Sequence, residues 1–369
     1  MKSTMVNAIW ITLAMLLSVG FKTNYQYTDT SAKIYLYQNY LIKTHPEKGI
    51  QIFSVSNPSI PTTINTMNVV GTHDVAVINN KMYTDRWNSL IVYDVSNFSQ
   101  PKQIDSIPQI FNSYRYDVMP MGIDGNVDDD NHWSCGDCIP APRSTDAVTT
   151  TAVQSGQGGS LARFIIVDNY LYCIDLSSLV VFSIADSGKP VYRNRVEIGW
   201  DIETIFSKDS LLFIGGRNGM YIYNVFQPEK PVQLSQFRHS RGCDPVVVND
   251  TVAYVTIRDG NTCGAGSNQL LIIGVGDLKN PVLLSTYQFA NPYGLAIDNK
   301  HLYLCDGTQG LKIYDVKNYV TLEQKTIVKD IIPHDVIIHN GILYVIANNQ
   351  VLLYSITDPV TPILLSTIQ

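Results

Sequence analysis

An all-β, seven-bladed β-propeller of four-stranded blades is the fold this 369-residue sequence predicts, on three observations. One strand phrase recurs seven times: Ile50-Gln-Ile-Phe-Ser-Val55, Leu90-Ile-Val-Tyr-Asp-Val95, Leu179-Val-Val-Phe-Ser-Ile184, Met220-Tyr-Ile-Tyr-Asn-Val225, Leu270-Leu-Ile-Ile-Gly-Val275, Leu311-Lys-Ile-Tyr-Asp-Val316 and Val351-Leu-Leu-Tyr-Ser-Ile356. Their fourth residues, Phe53, Tyr93, Phe182, Tyr223, Ile273, Tyr314 and Tyr354, are spaced by 40, 89, 41, 50, 41 and 40, a period of about forty with two insertions. An earlier run in each later unit carries a second aromatic, at Tyr83, Tyr172, Phe213, Tyr254, Tyr303 and Tyr344. Asn/Asp pairs such as Asn79-Asn80 and Asp298-Asn299, and Pro-containing turns such as Ser56-Asn-Pro-Ser-Ile-Pro61, punctuate the runs. Four short strands per forty residues make a propeller blade, and no stretch has the 3.6-residue periodicity of a helical repeat.

Composition agrees with one large globular ring. Hydrophobic residues are 45% and charged residues 16%, a balance that can bury a core. The net charge of −6 argues against a broad nucleic-acid-binding surface.

Taken in chain order, residues 1–20 read as a signal peptide. Lys2 precedes the apolar stretch Ala8-Ile-Trp-Ile-Thr-Leu-Ala-Met-Leu-Leu17, and Ser18-Val19-Gly20 supplies small residues for cleavage. The stretch falls short of the roughly 20 apolar residues a membrane span needs, so no span is expected after signal removal. Residues 21–369 are expected to form a single propeller domain. The first blade is the most ragged, through Ile34-Tyr-Leu-Tyr37. Nine residues before five of the second-run aromatics stand Asp74, Arg163, Thr204, Gly294 and Asp335, near the start of each innermost run. The recurring aromatics are expected to be wedges between blades.

These phrases resemble the LVIVD-repeat propellers, a family of bacterial surface or periplasmic proteins. Strand three echoes the family name, and Ser56-Asn57-Pro58 gives its typical turn. The resemblance spans residues 31–110 and 161–369, and is closest in Asp201-Ile-Glu-Thr-Ile-Phe206, Cys243-Asp-Pro-Val-Val-Val248, Ala253-Tyr-Val-Thr256 and Asn291-Pro-Tyr-Gly-Leu295. Many relatives look like lipoproteins, whereas this chain has no Cys near the cleavage point. The resemblance implies fold and a secreted, periplasmic or cell-surface address. It implies no activity and no catalytic residues.

With strand one innermost, connections between blades share one face with the strand two–three hairpins. That face is expected to carry a candidate ligand-binding mouth of His73, Asp74, Trp200, Asp201, Glu203, Asp244, Tyr293, His334 and Asp335. The competing reading of His73-Asp74 and His334-Asp335 is capping and cross-blade hydrogen bonding. Asp201 and Glu203, two apart in one strand, could pair as acid and base, but nothing in their spacing shows convergence.

Residues 111–160 interrupt the period as a loop insertion between blades two and three. Seven aspartates against two arginines give it −5 of the chain's −6. Its Ser-, Thr- and Gly-rich tail reads as a linker. Asp124, Asn126 and Asp128 have partial calcium-loop spacing, but the sixth position is Asp129 rather than Gly. Cys243 and Cys263 are expected to form a disulfide within blade five, with Cys135 and Cys138 a weaker local pair, and Cys173 and Cys305 buried. Phosphate loops and nucleophile elbows are missing, so neither a cofactor nor a catalytic residue is expected. The functional expectation is a cell-envelope binding or scaffold propeller whose partner is an envelope protein or glycan. The alternative is a hydrolase or lyase, on glycans for instance, with its site in the central mouth.

Overall fold

The computed structural model describes residues 32–112, 155–185, 188–239, 245–259 and 266–369. Seven antiparallel sheets each take four consecutive strands, in the order first to fourth from the axis outward. The innermost strands are Lys33–Tyr37, Val75–Ile78, Phe164–Val167, Ile202–Lys208, Val246–Asn249, Leu295–Asp298 and Pro333–His339. Among the described residues the one helical element is a 3-10 turn, Gly307–Gln309, and no helix is long and apolar enough to cross a membrane.

The strand phrase earns its recurrence in the outer half of each blade. All seven third-to-fourth strand pairs shift register at the marker residue, from Ile52/Phe53 to Leu353/Tyr354. Such a bulge increases the local twist, and the seven marker side chains are buried beside it. First-to-second hairpins turn through left-handed residues, for example Asn79 and Asn80 at φ 49° and 58°, which suits Asn and Asp.

The second-run aromatics are the wedges between blades. Tyr83, Tyr172, Phe213, Tyr254, Tyr303 and Tyr344 are all buried. Four hydroxyls also reach a backbone carbonyl of the next blade's outer turn: Tyr83 to Gly188 (2.6 Å), Tyr172 to Pro228 (3.0 Å), Tyr254 to Tyr319 (3.0 Å) and Tyr303 to Pro359 (2.9 Å). A buried phenol without a partner would be costly, so each hydroxyl fixes the tilt of its neighbour.

Among the described residues no strand is exchanged between the first and last blades: Lys33–Met67 supplies one and Pro333–Ile368 the other. Closure rests on packing of Ile34, Leu41 and Phe53 against Ile337, Tyr344 and Leu353. Lys43 Nζ donates to Asn349 O (3.1 Å) and Ser366 Oγ to Pro58 O (2.5 Å) across the same seam.

Candidate functional site

One position near the start of each innermost strand rings the channel at the connection face: Lys33, Asp74, Arg163, Thr204, Gly294 and Asp335 are its members in blades one, two, three, four, six and seven. The sequence offset singled out five of these; Lys33 was missed because blade one lacks the second-run aromatic. Lys33 Nζ lies 3.1 Å from Asp74 Oδ2, and Asp74 also accepts the N–H groups of Val75 and Arg163. Burial pulls the Lys33 pKa below its ordinary value, opposed by the Asp74 charge.

His73 and Asp74 are fastened from a third carboxylate. Asp85, 1% exposed, accepts both their backbone N–H groups at 2.8 and 2.9 Å, and its other oxygen lies 2.8 Å from His73 Nδ1. Thr44 Oγ1 and Thr84 Oγ1 donate to the carbonyls of His73 and Asp74. The capping and cross-blade arrangement is therefore what this pair adopts.

Asp335 is buried beneath residues that the sequence placed in a linker. Residues 155–163 run through the channel as an internal strap. Ser155 bridges to Ile78 and Gly156 N–H donates to Val77 O (3.0 Å). Gln157 and Gly158 then add as a fifth strand to the inner edge of blade one, opposite Leu36 and Tyr35. Ser160 Oγ donates to Asp335 Oδ1 (3.0 Å) and accepts the Leu295 N–H (2.9 Å), joining blades seven and six. Ala162 O accepts the Ile205 N–H of blade four (2.8 Å), and Arg163 N–H closes the path on Asp74. Glycines permit the passage: a Cβ on Gly156 would lie 2.2 Å from the Tyr35 ring and 2.5 Å from Leu36 O. Burial raises the Asp335 pKa to about 6, although hydrogen bonds from Val336 N–H, Ser160 and Leu161 N–H favour its charged form.

The other candidates stand apart from this ring. Trp200 is 78% exposed. Asp201 is exposed and pairs with Arg217 (2.8 Å) at the edge of blade four. Glu203 falls at a register shift between Ile202 and Thr204, and His334 at the equivalent shift between Pro333 and Asp335. The bulge breaks the two-residue alternation that would have set Asp201 and Glu203 on one side. Tyr293 packs edge-on to His334 (4.9 Å) beneath the Arg258 guanidinium (4.1 Å). Trp87, 56% exposed on a second-to-third hairpin, shares the face with Trp200 and covers Gly71.

Asp244, Asp124, Asn126, Asp128, Cys135, Cys138, Cys243 and Cys263 lie outside the described residues. Cys173 and Cys305 are free and buried, and burial raises both thiol pKa values. Among the described residues no three His, Cys, Asp or Glu side chains group to hold a metal ion.

The strap fills only part of the channel. Beside it lies a cavity of about 290 Å³, floored by residues 157–160 and walled by the inner strands of blades four to seven. Its wall runs along those strands from Leu295, Ala296 and Val336 to Phe206, Val248, Ile297, Asp298 and Ile338, the last five toward the first-to-second hairpin end. No sequence motif marked it, because a channel cavity exists only once the ring has closed.

The LVIVD repeat model matches residues 71–107, the second blade and its approach. No curated protein sequence matches the chain. Among solved structures, the periplasmic gluconolactonase PpgL of Pseudomonas aeruginosa has a TM-score of 0.61 at 10% identity, covering 91% of this chain and 96% of its own. A functionally unknown protein from Desulfotomaculum acetoxidans gives 0.56 at 12%, covering 92% and 95%. BamB of Moraxella catarrhalis gives 0.53 at 6%, covering 84% and 80%. At these identities the likeness is one of fold. The chain is thus a seven-bladed propeller whose second blade carries an LVIVD repeat and whose other six blades reiterate the same four-stranded unit.

Proposed function

We propose that this chain is an exported cell-envelope propeller that binds a protein or glycan partner on its connection face. The observation that carries the reading is the contrast on that face. Asp74, Asp85 and Asp335 are buried in hydrogen bonds that hold blades together, whereas Trp200 stands 78% exposed beside the Asp201–Arg217 pair. Exposed Trp is the residue type that most often dominates binding energy, at about 2 kcal/mol or more per anchor. Trp87 and the entry to the acidic insertion at Asn112 lie on the same face. The signal-like residues 1–20 support export. Glycan hydrolysis or cleavage from the central mouth is the competing reading. It needs a pair of carboxylates converging at the mouth, and Asp335 is 2% exposed beneath the strap while the exposed Asp201 is paired with Arg217.

The test is parallel capture from envelope extracts with the full chain, Trp200→Ala and Trp87→Ala. A partner retained by the full chain and lost by Trp200→Ala, with an unchanged thermal midpoint, supports the reading. Equal recovery by all three proteins overturns it.

A further inference from the structure

The innermost strand of every blade has one edge paired to the second strand and one edge turned to the channel. Strand parity says which residues use the channel edge. In a hairpin whose last pair is hydrogen-bonded, alternate residues before it point their N–H and C=O the other way. Asp298 pairs with His301 and Ile338 is one short of the His339–Ile342 pair, so Ile297 and Ile338 turn theirs inward, as does Val248 before Asn249–Val252. Three observed bonds confirm the parity: Leu295 N–H to Ser160, Ile205 N–H to Ala162 O, and Val77 O from Gly156 N–H.

We propose that the open half of the channel is a binding site for a short, uncharged, extended peptide segment, held by backbone pairing to the inner edges of blades five, six and seven. The chain supplies the precedent itself. Gly156 bonds Val77 of blade two, and Gln157–Gly158 pair with blade one, at positions equivalent to the three just named. Two of the seven inner edges are thus taken by an extended peptide, and the 290 Å³ cavity borders the like edges at Val248, Ile297 and Ile338. Its wall side chains, Phe206 and Val247 among them, are apolar except for Asp298. Asp298 is the one charged residue of the lining, so an anionic guest is disfavoured. An inner strand of four residues offers roughly 10 Å of edge, enough for three or four residues of extended chain. Strand addition to a free edge takes its affinity from the main chain and asks little of the guest's sequence. This site lies on the hairpin end, opposite the proposed partner face, and does not depend on it.

The probe is acetyl-Ser-Gly-Gln-Gly-amide, copying residues 155–158, titrated into the ¹⁵N-labelled full chain. The control is the same peptide N-methylated at alternate residues, which removes donors without changing the side chains. Saturable amide shifts centred on Val248, Ile297 and Ile338 are expected, with binding about tenfold weaker for the control, as one or two lost hydrogen bonds imply. No saturable shift at millimolar peptide, equal shifts with the control, or shifts at Leu36 and Val77 from strap displacement would each overturn the proposal.

Discussion

Ser160→Ala removes one oxygen from the junction of three chain segments. That hydroxyl is 3% exposed, donates to Asp335 and accepts the Leu295 N–H. The substitution leaves a buried N–H without its acceptor and a buried carboxylate with one bond fewer. Each unmade buried bond costs about 1–3 kcal/mol, so about 3 kcal/mol is expected at neutral pH. The loss should depend on pH. Burial lifts Asp335 from its ordinary 3.8 to about 6, so the folded state takes up a proton more readily than the unfolded one. Stability therefore falls as pH rises from about 4 to about 6 and stays depressed above it. The Ser160 bond favours the ionised form, so its removal hurts more at pH 7.5 than at pH 5. Urea unfolding at both values reads this directly. A loss under about 0.5 kcal/mol at both, the range of ordinary surface substitutions, would refute the strap's seat on Asp335.

Three further outcomes follow from the same geometry. Tyr83→Phe and Tyr254→Phe keep the wedge but drop the bond to the next blade, and each should lower stability by about 1 kcal/mol in denaturant titrations. Gly294→Ala would set a Cβ 2.2 Å from Asp335 Oδ1 and 2.9 Å from its Cα; a loss of about 3 kcal/mol, or an insoluble product, is expected, and wild-type stability would contradict it. Asn112 is held by Asp175 at the connection face while Ser155 bridges Ile78 at the hairpin end. Replacing residues 113–154 by about fifteen Gly/Ser residues should leave the thermal midpoint nearly unchanged, whereas a three-residue link, reaching at most about 11 Å, should lower it by pulling Ser155 off its edge.

The repeat was legible because each blade reuses one solution: the bulge at the marker residue and the wedge two strands in. The ring at the connection face was legible for the same reason, as a fixed offset from Tyr83, Tyr172, Phe213, Tyr303 and Tyr344. Lys33 escaped because Ile42 replaces the aromatic in blade one, though it stands 41 residues before Asp74. The His73-Asp74 and His334-Asp335 pairs were legible both as mouth candidates and as cross-blade capping groups; Asp85, eleven residues on from Asp74, and Ser160 supply the bonds that the sequence did not name. The strap was illegible in principle. Residues 155–160, Ser-Gly-Gln-Gly-Gly-Ser, have the composition of a linker, and their partners are strand edges that come together only when distant blades meet. The glycines that suggested freedom are there because Tyr35, Leu36 and Asp335 leave no space for a side chain.

Hydrogen exchange of the full chain, followed by mass spectrometry on peptides covering residues 155–163, tests the threaded channel most directly. Bonded to five of the other blades, the amides of Gly156 and Arg163 should exchange as slowly as those of the innermost strands, and open only with them. Exchange of this segment within seconds, while Val75–Ile78 and Leu295–Asp298 stay protected, would contradict the strap and return the whole insertion to the surface.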